Sequence, residues 1–165
     1  MAFYQFKREQ LINASVDEVW DFISSPRNLK EITPDYMGFD VTSTDIPEKM
    51  YEGMIITYKV SPLLGFKMDW MTEITKVRDK EYFVDEQRVG PYNIWHHQHI
   101  LKEVKDGVLM KDIVTYAPPF GPLGAIANTL MIRSKLEEIF AYRKKVVEKK
   151  WGTLPKVRSV EGLAG

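Results

Sequence analysis

Apolar and polar residues alternate along the chain between Phe39 and Ala117, and this period of two is typical of half-buried β-strands. Short turn-forming stretches such as Pro62–Gly65 and Gly90–Pro91 interrupt the alternation. Together with an opening strand over 3–12, the predicted strands are 38–45, 54–60, 66–77, 81–89, 93–103 and 108–117. Because the connections are short, the pattern predicts an antiparallel meander, since parallel strands need long crossover connections.

Two short helical segments are predicted after the first strand. Ser15 and Glu18 stand three positions apart, as in a capping box, where each side chain accepts a hydrogen bond from the backbone of the other residue. The apolar residues of the first segment have helical spacing, and they are Val16, Val19, Trp20 and Ile23. A second helical turn is expected to hold Leu29 and Ile32.

A long helix is predicted over about 123–150, and Gly152 and Pro155 can end it. Its apolar face is expected to consist of Leu123, Ala127, Leu130, Leu136, Ile139, Phe140, Val146 and Val147. This helix is the only predicted element large enough to cover an apolar sheet face. The sequence therefore predicts an α+β fold, in which a seven-stranded antiparallel sheet curls around one long C-terminal helix. We expect one domain over 1–151, followed by a flexible tail over 152–165.

Composition excludes several classes of protein. The 165-residue chain has 23 Lys and Arg residues and 23 Asp and Glu residues, so its formal net charge is zero. This balance argues against non-specific nucleic-acid binding, which depends on an excess of cationic side chains. The absence of cysteine excludes disulfides, thiolate catalysis and cysteine zinc sites. Neither a membrane-spanning apolar run nor a secretory signal is recognisable, so we expect a cytoplasmic protein.

Alternation along the strands also predicts a pocket wall, because side chains two positions apart share a face of the sheet. On four predicted strands one face combines large apolar side chains with hydrogen-bonding groups, a mixture typical of ligand pockets. The members of this face are Met68, Trp70, Thr72, Ile74, Phe83, Asp85, Gln87, Trp95, His97, His99, Leu101, Met110, Asp112, Val114 and Tyr116. The ligand-binding residues expected from it, with one residue of the loop after the last strand, are Trp70, Phe83, Gln87, Trp95, Tyr116 and Phe120.

His97 and His99 lie two positions apart, so both imidazole rings project from the same face, with Asp85 and Asp112 on the neighbouring strands. Three interpretations are open. The four side chains could form a buried network that orients a ligand or stabilises the fold. His97 and Asp112 could form an acid–base pair. Two imidazoles and one carboxylate could also hold a metal ion. We favour the network and expect neither a metal nor a cofactor.

The order of these pieces resembles the START and aromatase/cyclase superfamily over about residues 3–150, and more closely its bacterial single-domain branch of cyclase/dehydrase-like proteins. The matching pieces are Ala14-Ser15, Val19-Trp20-Asp21-Phe22, Ile32-Thr33-Pro34, Trp70 with Glu73-Ile74, 83–87, Gly90-Pro91-Tyr92, Trp95, His97, His99, Asp112, Pro119-Phe120-Gly121 with Gly124, and Phe140-Ala141-Tyr142-Arg143. The resemblance implies the helix-grip fold and a hydrophobic cavity for lipids, polyketides or other apolar molecules. It does not determine an activity, because the superfamily includes carriers, regulators and enzymes.

Three functional hypotheses follow. The favoured one is a non-enzymatic module that binds an apolar or amphipathic small molecule, lipid-like or polyketide-like, beneath the long helix. The second is an enzyme of the cyclase or dehydratase type that uses His97, His99, Asp85 and Asp112. The third is a regulatory interaction domain whose contact surface is the basic C-terminal helix.

Overall fold

Seven antiparallel strands form the sheet in the computed structural model, which describes residues 2–61 and 65–153. The strands are β1 (Tyr4–Ile12), β2 (Asp40–Val41), β3 (Ile55–Val60), β4 (Met68–Arg78), β5 (Tyr82–Val89), β6 (Ile94–Val104) and β7 (Gly107–Ala117). Their order across the sheet is β1-β7-β6-β5-β4-β3-β2. The predicted α+β class and strand number are confirmed, although the strand expected over 38–45 forms only at β2. Pro62 to Leu64, in one of the expected turns, lie outside the described residues.

The first helix, α1 (Val16–Ile23), begins as its sequence predicts. The Ser15 hydroxyl accepts a hydrogen bond from the Glu18 backbone, and the Glu18 carboxylate accepts one from the Ser15 backbone at 2.9 Å. Two 3₁₀ turns follow, Pro26–Leu29 and Asp35–Met37. The expected second helical turn thus contains Leu29 but ends before Ile32.

The C-terminal helix has three parts: α2 (Gly121–Ala127), a π-helical turn (Asn128–Ile132) and α3 (Arg133–Trp151). Every fourth residue from Gly124 to Phe140 is buried. A uniform α-helix would carry such a series about 40° further round its axis at each step. The π-helical turn holds more residues per turn and keeps these side chains facing the sheet.

This change of register corrects part of the predicted apolar face. Leu123 is 71% exposed and Leu130 is 77% exposed, so neither residue packs against the sheet. The prediction assumed a uniform α-helical period, which fails across the π-helical turn. Beyond that turn it is right, since Leu136, Phe140 and Val147 are buried.

The helix covers one face of the sheet, which we call the inner face. Around α1 and the nearby end of the sheet, a cluster of buried residues includes Trp20, Ile74 and Phe83. A second cluster, with Trp70, Tyr116 and Phe140 among its members, joins the sheet to the C-terminal helix.

Two further observations concern the helices and the end of the chain. No helix in the described ranges is long and apolar enough to cross a membrane. Thr153 pairs with Ile12 through an isolated β-bridge, although it falls within the tail expected over 152–165. The rest of that expected tail lies outside the described residues.

Candidate binding cavity and its buried polar cluster

A cavity of about 150 Å³ lies between the inner face of the sheet and the C-terminal helix. Its wall is mainly apolar and aromatic, with two methionines among the lining side chains. The apolar and aromatic members include Met37, Phe39, Met50, Ile56, Trp70, Phe83, Trp95, Ile139 and Phe140. The charged and imidazole members are Asp85, His97, His99, Lys135 and Arg143.

Three of these side chains, Asp85, His97 and His99, form a closed ring of contacts with Asp112 on β7. In this ring each histidine lies between the same two carboxylates. His97 has Nε2 at 3.0 Å from Asp112 Oδ1 and Nδ1 at 3.4 Å from Asp85 Oδ2. His99 has Nδ1 at 3.1 Å from Asp112 Oδ1 and Nε2 at 2.7 Å from Asp85 Oδ2. The register of the sheet creates this ring, because β6 lies between β5 and β7 and pairs Asp85 with His97 and His99 with Asp112.

Arg143 joins the ring from α3. One of its terminal guanidinium nitrogens donates a hydrogen bond to Asp112 Oδ1 at 2.9 Å. The side chain of Arg143 is only 14% exposed, so this ion pair is largely shielded from water. The two carboxylates carry two negative charges, and Arg143 with one doubly protonated histidine would balance them.

Burial and these contacts shift the pKa values of all four ring members. Burial alone would raise the pKa of Asp112, but Arg143 and the hydrogen bonds from His97 and His99 hold it well below the ordinary range. The histidines lower the pKa of Asp85 in the same way, against the effect of its burial. Burial and the neighbouring charge of His99 lower the pKa of His97 to about 4. Burial would also lower the pKa of His99, but hydrogen bonds to Asp112 and Asp85 raise it overall.

Aromatic packing limits rotation of both imidazoles. The Phe83 ring stacks on His99 with 4.1 Å between ring centroids and an angle of 15° between planes. The two imidazole centroids are 3.7 Å apart, and the edge of Phe140 lies against His97. The polar atoms that line the cavity therefore keep a defined direction.

Comparison with known proteins concerns the fold. No protein-family model and no curated protein matches the chain. Among solved structures, the di-domain ARO/CYC BexL from the BE-7585A biosynthetic pathway is 14% identical with a TM-score of 0.68, over 93% of this chain and 51% of that one. Major latex-like protein 151 from Panax ginseng is 12% identical with a TM-score of 0.66, over 94% and 100% of the two chains. Norcoclaurine synthase from Thalictrum flavum is 15% identical with a TM-score of 0.62, over 90% and 96%.

Strand order, the covering helix and these structural matches agree. The chain has the helix-grip fold. Within this helix-grip architecture, three of the expected ligand-binding residues, Trp70, Phe83 and Trp95, line the cavity. All four members of the polar ring come together, as strand alternation predicts.

The other three expected ligand-binding residues do not line the cavity. The Gln87 side-chain amide pairs with the Tyr92 backbone, donating at 2.6 Å and accepting at 3.2 Å, and so closes the turn before β6. Tyr116 is buried, and its hydroxyl donates to Asn128 Oδ1 at 2.7 Å. Phe120 is 80% exposed, because β7 ends at Ala117 and the alternation that would turn this side chain inward does not extend beyond the strand.

Two residues that line the cavity, Arg143 and Tyr58, were not predicted as site residues from the sequence. Arg143 lies on the stripe of α3 that also holds Phe140 and Val147, and a cation within an apolar stripe is the signal that could have identified it. Tyr58 lies on β3 and shares a hydrogen bond of 2.8 Å with the Thr72 hydroxyl, while Trp70 Nε1 donates to the same oxygen at 3.1 Å. Burial raises the pKa of Tyr58, which keeps its hydroxyl protonated.

Proposed function

We propose that the protein binds a small, mainly apolar molecule in the cavity, with a polar group of that molecule directed at Asp85, His97 and His99. The observation that carries the proposal is that one cavity is lined both by apolar side chains and by the buried imidazoles and carboxylate of Asp85, His97 and His99. Ligand pockets combine apolar walls with a few convergent polar groups in this way.

The volume limits the size of the ligand. A cavity of about 150 Å³ holds a molecule of about the size of benzene. Pockets for drug-sized molecules measure roughly 300–1,000 Å³. The geometry therefore favours a single aromatic ring, or one ring of a larger molecule, over a whole lipid or polyketide. Met37 and Met50 could widen the wall, because methionine side chains adapt to irregular shapes.

A second candidate function is acid–base catalysis on a molecule held in the same place. His97 lines the cavity and has the Asp112 carboxylate behind it, an arrangement in which a carboxylate orients an imidazole. Norcoclaurine synthase, whose structure was solved with a transition-state analogue, and BexL share the fold. This likeness supports the candidate only as an analogy.

Phenol and toluene test the proposal, because they differ only in the polar group. Intrinsic tryptophan fluorescence should change on saturable binding, since Trp70 and Trp95 line the cavity. Phenol should bind more tightly than toluene, and Asp85→Asn should reduce this difference in affinity between the two compounds. All titrations are done with a chelator present.

A size change in the wall supplies a matched control. Ile139→Phe adds volume inside the cavity and should abolish binding, whereas Ile126→Phe places the same change on the exposed side of α2 and should leave binding intact. Binding that survives Ile139→Phe, or no saturable binding of either compound, would overturn the proposal.

A further inference from the structure

We propose that His97, His99 and Asp85 form a binding site for one first-row divalent metal ion, and that its remaining coordination positions face the cavity. The three side chains come from two adjacent strands, β5 and β6, and all of them line the cavity. The metal site stands on this geometry alone and does not depend on the ligand proposed above.

The first argument for the metal site is the spacing of three candidate ligand atoms. His97, His99 and Asp85 each offer one ligand atom, and these three atoms lie within 4.8 Å of one another. His97 Nδ1 and His99 Nε2 are 3.4 Å and 2.7 Å from Asp85 Oδ2. Around a tetrahedral Zn²⁺ with bonds of about 2.0–2.1 Å, neighbouring ligand atoms are about 3.3 Å apart. Of the two nitrogen–oxygen contacts, one already has the required spacing and the other needs to open by well under an ångström.

Asp112 supplies the second step by determining which nitrogens are free. Its Oδ1 lies 3.0 Å from His97 Nε2 and 3.1 Å from His99 Nδ1, and an ionised carboxylate can only accept hydrogen bonds. His97 therefore presents its Nε2–H to Asp112, and His99 presents its Nδ1–H there when a metal ion displaces the proton that its Nε2 shares with Asp85. The remaining nitrogens, Nδ1 of His97 and Nε2 of His99, then direct lone pairs toward Asp85 once the proton shared there is displaced.

This arrangement is the one that metal sites use. Ligating histidines donate their second ring N–H to a carboxylate, which orients the ring and makes the free nitrogen a better donor. Here one carboxylate serves both histidines, and Arg143 holds that carboxylate in its ionised form from the opposite side. Asp112 does not line this cavity, whereas the three ligand residues do. The orienting group thus lies behind the ligands, and the open side faces the space where a small molecule fits.

Charge indicates the kind of molecule that would complete the coordination, and this step rests on the proposed function. A divalent cation and Arg143 together outweigh the two carboxylates by one positive charge. An oxygen donor with a negative charge, such as a phenolate, a carboxylate or an enolate, would neutralise the centre.

Calorimetric titration of chelator-treated, tag-free protein with ZnCl₂ tests the site. We expect one equivalent to bind. His97→Ala, His99→Ala and Asp85→Ala should each weaken binding by more than about 100-fold, and Asp112→Asn by about 10- to 100-fold. His96→Ala is the matched control, because His96 points to the other face of β6, where it pairs with Glu86. This control should bind as tightly as the unmodified protein.

Co²⁺ provides a readout that does not require any variant to fold. Bound Co²⁺ should give visible absorption bands of low-coordinate cobalt, and benzoate should shift those bands if an open position faces the cavity. The proposal is overturned if the unmodified protein shows no saturable binding of either ion, if binding survives all three alanine substitutions, or if His96→Ala abolishes it. Phenol binding in chelator is measured separately, so a failure of the metal site and a failure of the cavity proposal are distinguishable.

Discussion

Asp112 accepts hydrogen bonds from His97 and Arg143 at one oxygen, and His99 Nδ1 lies 3.1 Å from the same oxygen, although this carboxylate lies on a buried strand face. Such a position is costly to disrupt, because the partners are left without an acceptor and away from water. Asp112→Ala should therefore lower the free energy of unfolding by about 3–5 kcal/mol, the usual cost of removing one member of a buried ion pair. Urea denaturation measures this change.

Asp69→Ala is the control for that substitution, because Asp69 also pairs with a cation, Lys59, but on the exposed surface. Its cost should be under about 1 kcal/mol. Equal costs for the two substitutions would mean that the Asp112 network contributes no more than a surface pair.

The two buried histidines should affect stability with opposite dependence on pH in metal-free protein. His97 has a folded pKa of about 4 and an unfolded pKa near 6.5, so the unfolded chain binds more protons between these values. Its contribution to stability is therefore complete above about pH 6.5 and is lost as the pH falls toward 4. The charged and titratable groups around it are Asp85, His99, Asp112 and Arg143.

His99 has a raised pKa, so its contribution is complete below about pH 6.5 and is lost as the pH rises through the folded value. Thermal unfolding of His97→Gln and His99→Gln from pH 4 to 8, with a chelator present, measures both effects. The unfolding temperature of the unmodified protein minus that of His97→Gln should increase as the pH rises. The corresponding difference for His99→Gln should decrease as the pH rises. Changes of the same sign would show that the two rings titrate alike.

At the scale of residues, strand alternation was enough to predict that Asp85, His97, His99 and Asp112 meet. The rule works because the period of a strand is two and the sheet has one buried face. It could not predict which polar side chains reach the cavity. The Gln87 side chain forms hydrogen bonds with the backbone of Tyr92 instead of lining the cavity. This depends on the shape of the turn before β6, which the alternation of apolar and polar residues does not reveal.

Among the elements, the π-helical turn decides how the C-terminal helix meets the sheet. Asn128, in that turn, accepts a hydrogen bond from the buried hydroxyl of Tyr116 on β7. Asn128→Ala should cost about 1–3 kcal/mol, because a buried hydroxyl loses its acceptor. In a Tyr116→Phe background the same substitution should cost less, since no hydroxyl is then stranded.

A double-mutant cycle by denaturant unfolding measures this coupling. Thr129→Ala, at an exposed position in the same turn, is the control and should show no coupling to Tyr116. Additive effects of Asn128→Ala and Tyr116→Phe would mean that the hydrogen bond does not attach the turn to the sheet.

Period analysis predicted the elements well where their geometry is regular. It recovered the long strands, α1 and the buried face of α3, because each follows a single period over several residues. It failed at Leu123 and Leu130, because an extra residue in a helical turn changes which side chains lie on the buried face of the helix. No distinctive sequence composition marks such a turn. Period analysis also overestimated the length of β2, because the backbone amides of Thr42 and Ser43 both donate to the Thr57 carbonyl and so interrupt the ladder after Val41.

For the molecule as a whole, the sheet order explains why one strand carries most of the candidate chemistry. β6 is the third strand from one edge, between β5 and β7, so its inner-face side chains have neighbours on both sides and the helix above them. A histidine on an edge strand would meet a carboxylate on one side only. The position of β6 inside the sheet, between β5 and β7, is therefore what allows each imidazole to lie between two aspartates.

The pairing of β1 with β7 has a consequence for the order of folding. Gln5 and Thr115 are neighbours in the sheet although they lie 110 positions apart in the chain, whereas β6 and β7 are joined by a tight turn. Closing so long a loop is entropically unfavourable, so hairpins should form before it. Phe6→Ala in β1 should therefore mainly speed unfolding, while Leu101→Ala in β6 should also slow refolding, as stopped-flow kinetics can measure. Of the seven strands, the one synthesised first would be the last to join the sheet.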